Sequence, residues 1–145
     1  MSLQKFLLKN GYTKIKLHFT KTSHFEIRAF INSKKGRFIL DTGASNSCVD
    51  FSFASKFNLK VEDSEVKAAG AGAVGMYTQV SKKNIIKIGK WTSKKVPIIL
   101  FDLTHVNTAL ENHNANLVHG IIGADILKKS KAIIDYNKKY LYIKL

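Results

Sequence analysis

Stretches of apolar and polar alternation recur from residue 13 almost to the end of this chain, and a pattern of period two can bury one face only by pairing as sheet. Residues 13 to 20 set Ile15, Leu17 and Phe19 against Lys14, Lys16 and His18, and Phe25, Ile27, Ala29 and Ile31 repeat the pattern. Asn32 to Gly36 reads as a hairpin loop leading into a strand from Arg37 to Leu40. Cys48 and Val49 predict a short strand, Phe51 to Phe57 one or two helical turns, and residues 60 to 67 and 76 to 89 two strands around a Gly-rich segment. Val96 to Phe101 is apolar enough to be buried on both faces; residues 103 to 113 predict a short helix, and Asn112 to Asn116 a polar loop. Ala132 to Tyr136 and Tyr140 to Ile143, joined by Asn137-Lys138-Lys139, close the chain as a hairpin. With 145 residues, 45% of them hydrophobic, and no repeat or linker, the expectation is one mostly β domain with one or two short helices.

Composition removes several function classes. No apolar run approaches a membrane span, and Met1 to Leu8 is too short and interrupted for a signal peptide, so the chain is expected to be cytoplasmic, or a soluble domain of a longer protein. The single Cys48 excludes an internal disulfide, and its apolar neighbours favour a buried structural thiol over a nucleophile. The net charge of +14 raises nucleic-acid binding. Against it, only Arg28 and Arg37 are Arg, and the lysines fall in pairs along the whole chain (Lys34-Lys35, Lys82-Lys83, Lys94-Lys95, Lys128-Lys129, Lys138-Lys139). Paired lysines at turns describe solvated hairpin ends and guarded sheet edges more than one binding stripe.

Two segments carry chemistry. Asp41-Thr42-Gly43-Ala44-Ser45 follows the apolar run Phe38-Ile39-Leu40, so a buried strand delivers a carboxylate to a tight turn. An ordinary turn uses the same residue types, and the triplet alone decides nothing. Gly70-Ala71-Gly72-Ala73-Val74-Gly75 matches the Gly-x-Gly-x-x-Gly of dinucleotide sites, but the strand before it, the helix after it and the later acidic residue are all missing. A small-sided hairpin tip suited to a mobile flap is the better reading, with a plain loop as the alternative. Further on, Ile121-Ile122 predicts a buried strand ending at Gly123, where backbone must approach closely, before a helical turn from Ala124 to Lys129.

In this order, the Asp-Thr-Gly-Ala-Ser turn, the Gly-rich tip, Ile121 to Leu127 and the closing hairpin resemble the retroviral-type (retropepsin-like) single-domain aspartic proteases also found in bacteria. The resemblance covers residues 13 to 145, leaving residues 1 to 12 as an N-terminal extension. It implies a closed, orthogonally packed β-barrel-like acid protease fold and an aspartic endopeptidase. Two facing carboxylates share one proton and activate a water against a peptide carbonyl, a mechanism that needs no metal and no cofactor. The chain has one Asp-Thr-Gly; Asp50 precedes Phe, Asp125 precedes Ile and Asp135 precedes Tyr, none in a strand-then-turn setting. The resemblance therefore implies a homodimer sharing one site on its two-fold axis.

Carried over position by position, Asp41 is the catalytic acid and base, Thr42 ties the two turns together through its hydroxyl, and Gly43 directs its N–H to the carboxylates. Ala44 and Ser45 line the cleft for a peptide substrate, and Gly70, Ala71 and Gly72 belong to the flap. Gly123 supports the turn from beneath, and Asp125 has a structural role, as helix cap or in contact with the basic chain. Ala44 stands where pepsin-like enzymes carry Ser, which implies a less acidic activity optimum, and Ser45 stands where retroviral enzymes carry Asp. The dimer interface is expected at the final hairpin, with Tyr136, Tyr140 and Tyr142, or at the N-terminal segment. Two alternatives stay open: a dimeric peptide-binding module of the same fold with little turnover, and a Lys-rich β-domain that binds nucleic acid.

Overall fold

The computed structural model describes residues 1–63 and 77–145. The chain begins with α1 (Leu3–Lys9), whose first turn is capped by the Ser2 hydroxyl accepting from Lys5 N. Strands β1 (Tyr12–Lys16), β2 (His18–Phe19), β3 (Phe25–Ile31), β4 (Lys34–Leu40) and β5 (Cys48–Asp50) follow. A 3-10 turn at Phe51–Phe53 leads to β6 (Glu62–Asp63), and then come β7 (Gln79–Ile88) and β8 (Trp91–Phe101). The last third holds α2 (Thr104–Asn112), β9 (Gly120–Ile122), α3 (Ala124–Lys129), β10 (Ile133–Asp135) and β11 (Tyr140–Lys144). The domain is mostly β, as the alternation requires, with three short α-helices among the described residues where one or two were expected.

Six strands close a barrel in the order β3-β4-β9-β5-β8-β7, with β7 returning to β3 through Phe30–Lys87 and Ile31–Ile86. Two of these pairings are parallel, β4 with β9 and β5 with β8, while β9 lies antiparallel to β5. Parallel neighbours deep in a closed sheet are buried on both faces, which accounts for the apolar runs at Phe38-Ile39-Leu40 and Ile98 to Phe101, whereas Pro97, expected within the second run, is exposed. One core fills the barrel with Phe38, Leu40, Val49, Ile98, Leu100 and Ile122. A second, between the barrel wall and α2, takes the alternate residues Ile39, Cys48, Ile99, Phe101 and Ile121 together with Leu103 and Leu110.

Three details differ from the sequence reading. The β3–β4 hairpin turns on Asn32 and Ser33 alone, both at positive φ (49° and 70°), so Lys34 to Gly36 are already strand. Gly36 pairs with Ala29 there, where a Cβ would lie 2.7 Å from the Phe57 ring. Phe19 is 49% exposed instead of inward, because β2 is only two residues long at the edge of the sheet. In the second sheet, β1-β11-β10, Tyr142 is fully buried, so of the three tyrosines assigned to an interface only Tyr136 projects outward, 70% exposed against the ring of Phe25.

Candidate active site

Asp41 sits at the end of β4, where strand pairing stops: its N–H donates to Ile122 O of the parallel β9 at 3.0 Å, the last bond of that ladder. The chain then turns sharply. Ala44 N donates to Asp41 O at 3.2 Å, and Gly43 N donates to Asp41 Oδ1 at 2.8 Å, so the turn holds its own carboxylate. A backbone N–H aimed at a carboxylate fixes its rotamer. Asp41 is half-buried, Thr42, Gly43 and Ser45 are exposed, and Ala44 is buried. Thr42 faces outward beside Ala124, Leu127 and Ala132.

Beneath the turn lies the junction of β9 and α3. Gly123 packs so tightly that a Cβ would come 2.5 Å from Ala44 O, and Ala124 N donates to that same oxygen at 2.7 Å. This is the close approach read from Ile122-Gly123. Ser47, buried within the loop that follows Asp41, donates through its hydroxyl to Asp125 Oδ1 at 2.7 Å and through its N–H to both carboxylate oxygens at 3.0 Å. The same hydroxyl accepts from Gly123 N at 2.8 Å. Among the described residues Asp125 thus pairs with no basic side chain, and it does more than cap α3, although Ile126 N also donates to it.

Asp50 and Asp135 do end strands, contrary to the sequence reading, but their carboxylates are committed locally. Asp50 accepts from Ser52 N and Leu103 N, and Asp135 from Lys138 N. Neither is brought to Asp41. Burial pushes the Cys48 thiol up to about 12, with the Asp125, Asp41 and Asp50 carboxylates adding to the effect, which keeps it a protonated core residue.

One face of Asp41 opens on a cavity of about 260 Å³. Its floor is the second core, Ile39, Leu110 and Ile121, and its rim carries Thr22, His24 and His105. No pattern along the chain marks these rim residues, which converge from the β2–β3 turn and α2. Ser47 was also missed: its partner is 78 residues away, and only a polar side chain just ahead of the apolar pair Cys48-Val49 marks it. Gly70, Ala71 and Gly72, assigned to a flap, lie outside the described residues. Among the described residues, no group of three or more His, Cys, Asp or Glu side chains is placed to hold a metal ion.

A family model described as aspartyl protease matches residues 27–126. Among solved structures the chain is similar to a retropepsin-like aspartic protease from Rickettsia conorii, with a TM-score of 0.60 and 21% identity over 92% of this chain and 90% of that one. It is also similar to the retroviral protease-like domain of Ddi1 from Leishmania major, with a TM-score of 0.55 and 17% identity over 81% and 86% of the two chains. EIAV protease gives a TM-score of 0.57 and 18% identity over 81% of this chain and 98% of that one. At such identities the likeness is one of fold. No curated protein matches the sequence.

Proposed function

The chain belongs to the aspartyl protease family, and from that premise we propose that it is an aspartic endopeptidase whose catalytic dyad is made of Asp41 from two copies of the chain. The observation that carries this reading is the setting of Asp41: a half-buried carboxylate at a strand end, held by Gly43 N–H beside an apolar cavity, while Asp50, Asp125 and Asp135 are all bonded elsewhere. One carboxylate cannot act as base and acid in the same step, so the site is complete only with a second Asp41. Two such groups in contact share one proton, because ionising both is costly.

The ionised Asp41 accepts a proton from a water lying between the two copies as the water oxygen attacks the scissile carbonyl carbon. The protonated Asp41 gives its proton to the carbonyl oxygen, forming a neutral gem-diol. The Asp41 protonated in the first step gives its proton to the amide nitrogen while the other Asp41 takes one from a gem-diol hydroxyl; the C–N bond breaks, a carboxylic acid and an amine leave, and the pair again holds one proton. The Gly43 N–H keeps Asp41 oriented through both steps, and Thr42, exposed on the outer side of the turn, is positioned to meet the partner's turn. The apolar floor of the cavity suits an apolar substrate side chain beside the scissile bond. Gly70, Ala71 and Gly72 would cover the substrate, and Ala44 and Ser45 would flank its backbone.

Cleavage of a peptide library by the wild type, abolished by Asp41→Asn in a protein that still folds and sediments as a dimer, is the expected result. Equal cleavage by both proteins, or full activity from a strict monomer, would remove the mechanism. Peptide binding without turnover in either protein would favour a binding module. With Ala44 in place of a hydroxyl, the optimum is expected to be less acidic than that of pepsin-like enzymes, and a pH–rate profile peaking near pH ~2 would contradict it.

A further inference from the structure

We propose that Asp125 is a positioning residue for Asp41, acting through Ser47; this rests on the protease reading above. Residues 41 to 47 touch the β9–α3 junction at successive points: Asp41 N on Ile122 O, Ala44 O on Ala124 N, Ser47 Oγ on Gly123 N, and Ser47 N and Oγ on the Asp125 carboxylate. The first two contacts join backbone to backbone and are open to any sequence, whereas the third needs the Ser47 hydroxyl as acceptor. The fourth is specific to two side chains, and it is charge-assisted, hence shorter and stronger than a neutral bond.

Ser47 is 2% exposed, so water does not replace a lost partner. Its carbonyl also accepts from Ile99 N of β8 at 3.1 Å, so this one residue joins the loop, the barrel wall and the junction. A reacting carboxylate displaced by a fraction of an ångström loses its alignment with water and substrate, and rate falls steeply with such displacement. Asp125 itself lies at the base of α3 beneath the turn, touches no reacting atom in this arrangement, and is therefore not a catalytic residue.

The test compares wild type, Asp125→Ala, Asp125→Asn, Ser47→Ala, Ser47→Thr and the double Asp125→Ala/Ser47→Ala variant. Assays use enzyme concentrations at which activity per protomer no longer rises. Asp125→Ala and Ser47→Ala should each lower kcat by roughly 30- to 100-fold with little change in KM. Asp125→Asn, which keeps one acceptor oxygen, should lose less, and Ser47→Thr, which keeps the hydroxyl, least. The double variant should be no slower than the worse single one, because the two side chains act as a unit.

Unchanged kcat with a lowered melting temperature would show a merely structural contact and overturn the proposal, as would losses that multiply in the double variant. Amide hydrogen exchange across residues 42 to 47 supplies a readout without turnover. Faster exchange there in Asp125→Ala and Ser47→Ala is expected, and wild-type rates in both would overturn the proposal. A wild type that cleaves nothing would remove the protease reading, while exchange would still decide whether Asp125 fixes the loop.

Discussion

Phe38 and Leu40 project into the barrel, whereas Ile39 between them packs on the opposite face of β4 with Cys48, Ile99, Leu110 and Ile121. The first core is closed by strands together with Ile126 and Leu127 of α3 and Phe57 and Leu59, and carries nothing but packing. The second is smaller, and part of it is exposed as the floor of the cavity beside Asp41. Both cores draw alternate residues from the same four strands, β4, β5, β8 and β9, to which the first adds residues of β3, β7 and β11. Adjacent positions in one apolar run therefore answer to different requirements: one to stability alone, the next to stability and substrate together.

The largest expected effect separates the two. Phe38→Ala removes a fully buried ring and should cost about 3–5 kcal/mol in a denaturant melt. The fraction that remains folded at low temperature should keep the wild-type KM. Ile39→Ala, one residue on, should cost about 2–5 kcal/mol. It should also raise KM for substrates with an apolar side chain at the scissile bond by roughly tenfold, the worth of a lost pocket contact. A raised KM in Phe38→Ala, or an unchanged one in Ile39→Ala, would break the division.

A second effect probes whether the smaller core stays closed. Cys48 is 8% exposed within it, and its thiol is pushed up to about 12. At pH 8 its alkylation by iodoacetamide should run on the order of a thousandfold slower in the native protein than in denaturant, since only the thiolate reacts. Mass spectrometry over time reads the difference directly. Rapid native labelling would mean that the floor of the cavity opens in solution.

How much of this was legible in the sequence follows from the range of the interactions. Strands β3 and β4, the β9–α3 junction and the terminal hairpin each follow from period or from an uninterrupted apolar run, because those signals are local. The strand-end setting of Asp41 is legible because strand, turn and carboxylate are contiguous, and the packing of Gly123 because a glycine between Ile122 and a helix marks close approach. Ser47 with Asp125, and the rim formed by Thr22, His24 and His105, depend on segments that meet only in the folded chain, and no pattern along the sequence encodes the meeting. Helix α1 was missed for the opposite reason. With Leu7 its only buried side chain, it has almost no apolar face for periodicity to detect.

The smallest effect belongs to the far edge of the first core. His119 lies edge-on to Phe53 and Phe57, at ring separations of 4.6 and 5.7 Å, and its Nδ1 accepts from Arg37 N at 3.0 Å, a bond that requires this nitrogen to be unprotonated. Burial lowers its pKa, and the nearby charges of Lys56 and Arg37 lower it further. A histidine depressed in the folded state binds fewer protons there than in the unfolded chain between its folded value and about 6.5, so stability rises with pH across that interval. The contribution is complete above pH ~6.5 and is lost as pH falls through the folded value. Urea midpoints for wild type and His119→Gln should therefore differ in slope between the folded value and about pH 6.5, the variant being flatter. Parallel pH profiles would show that His119 takes up its proton as readily in the fold as in the unfolded chain, and that this edge of the barrel core admits a charge its packing against Phe53 and Phe57 is expected to refuse.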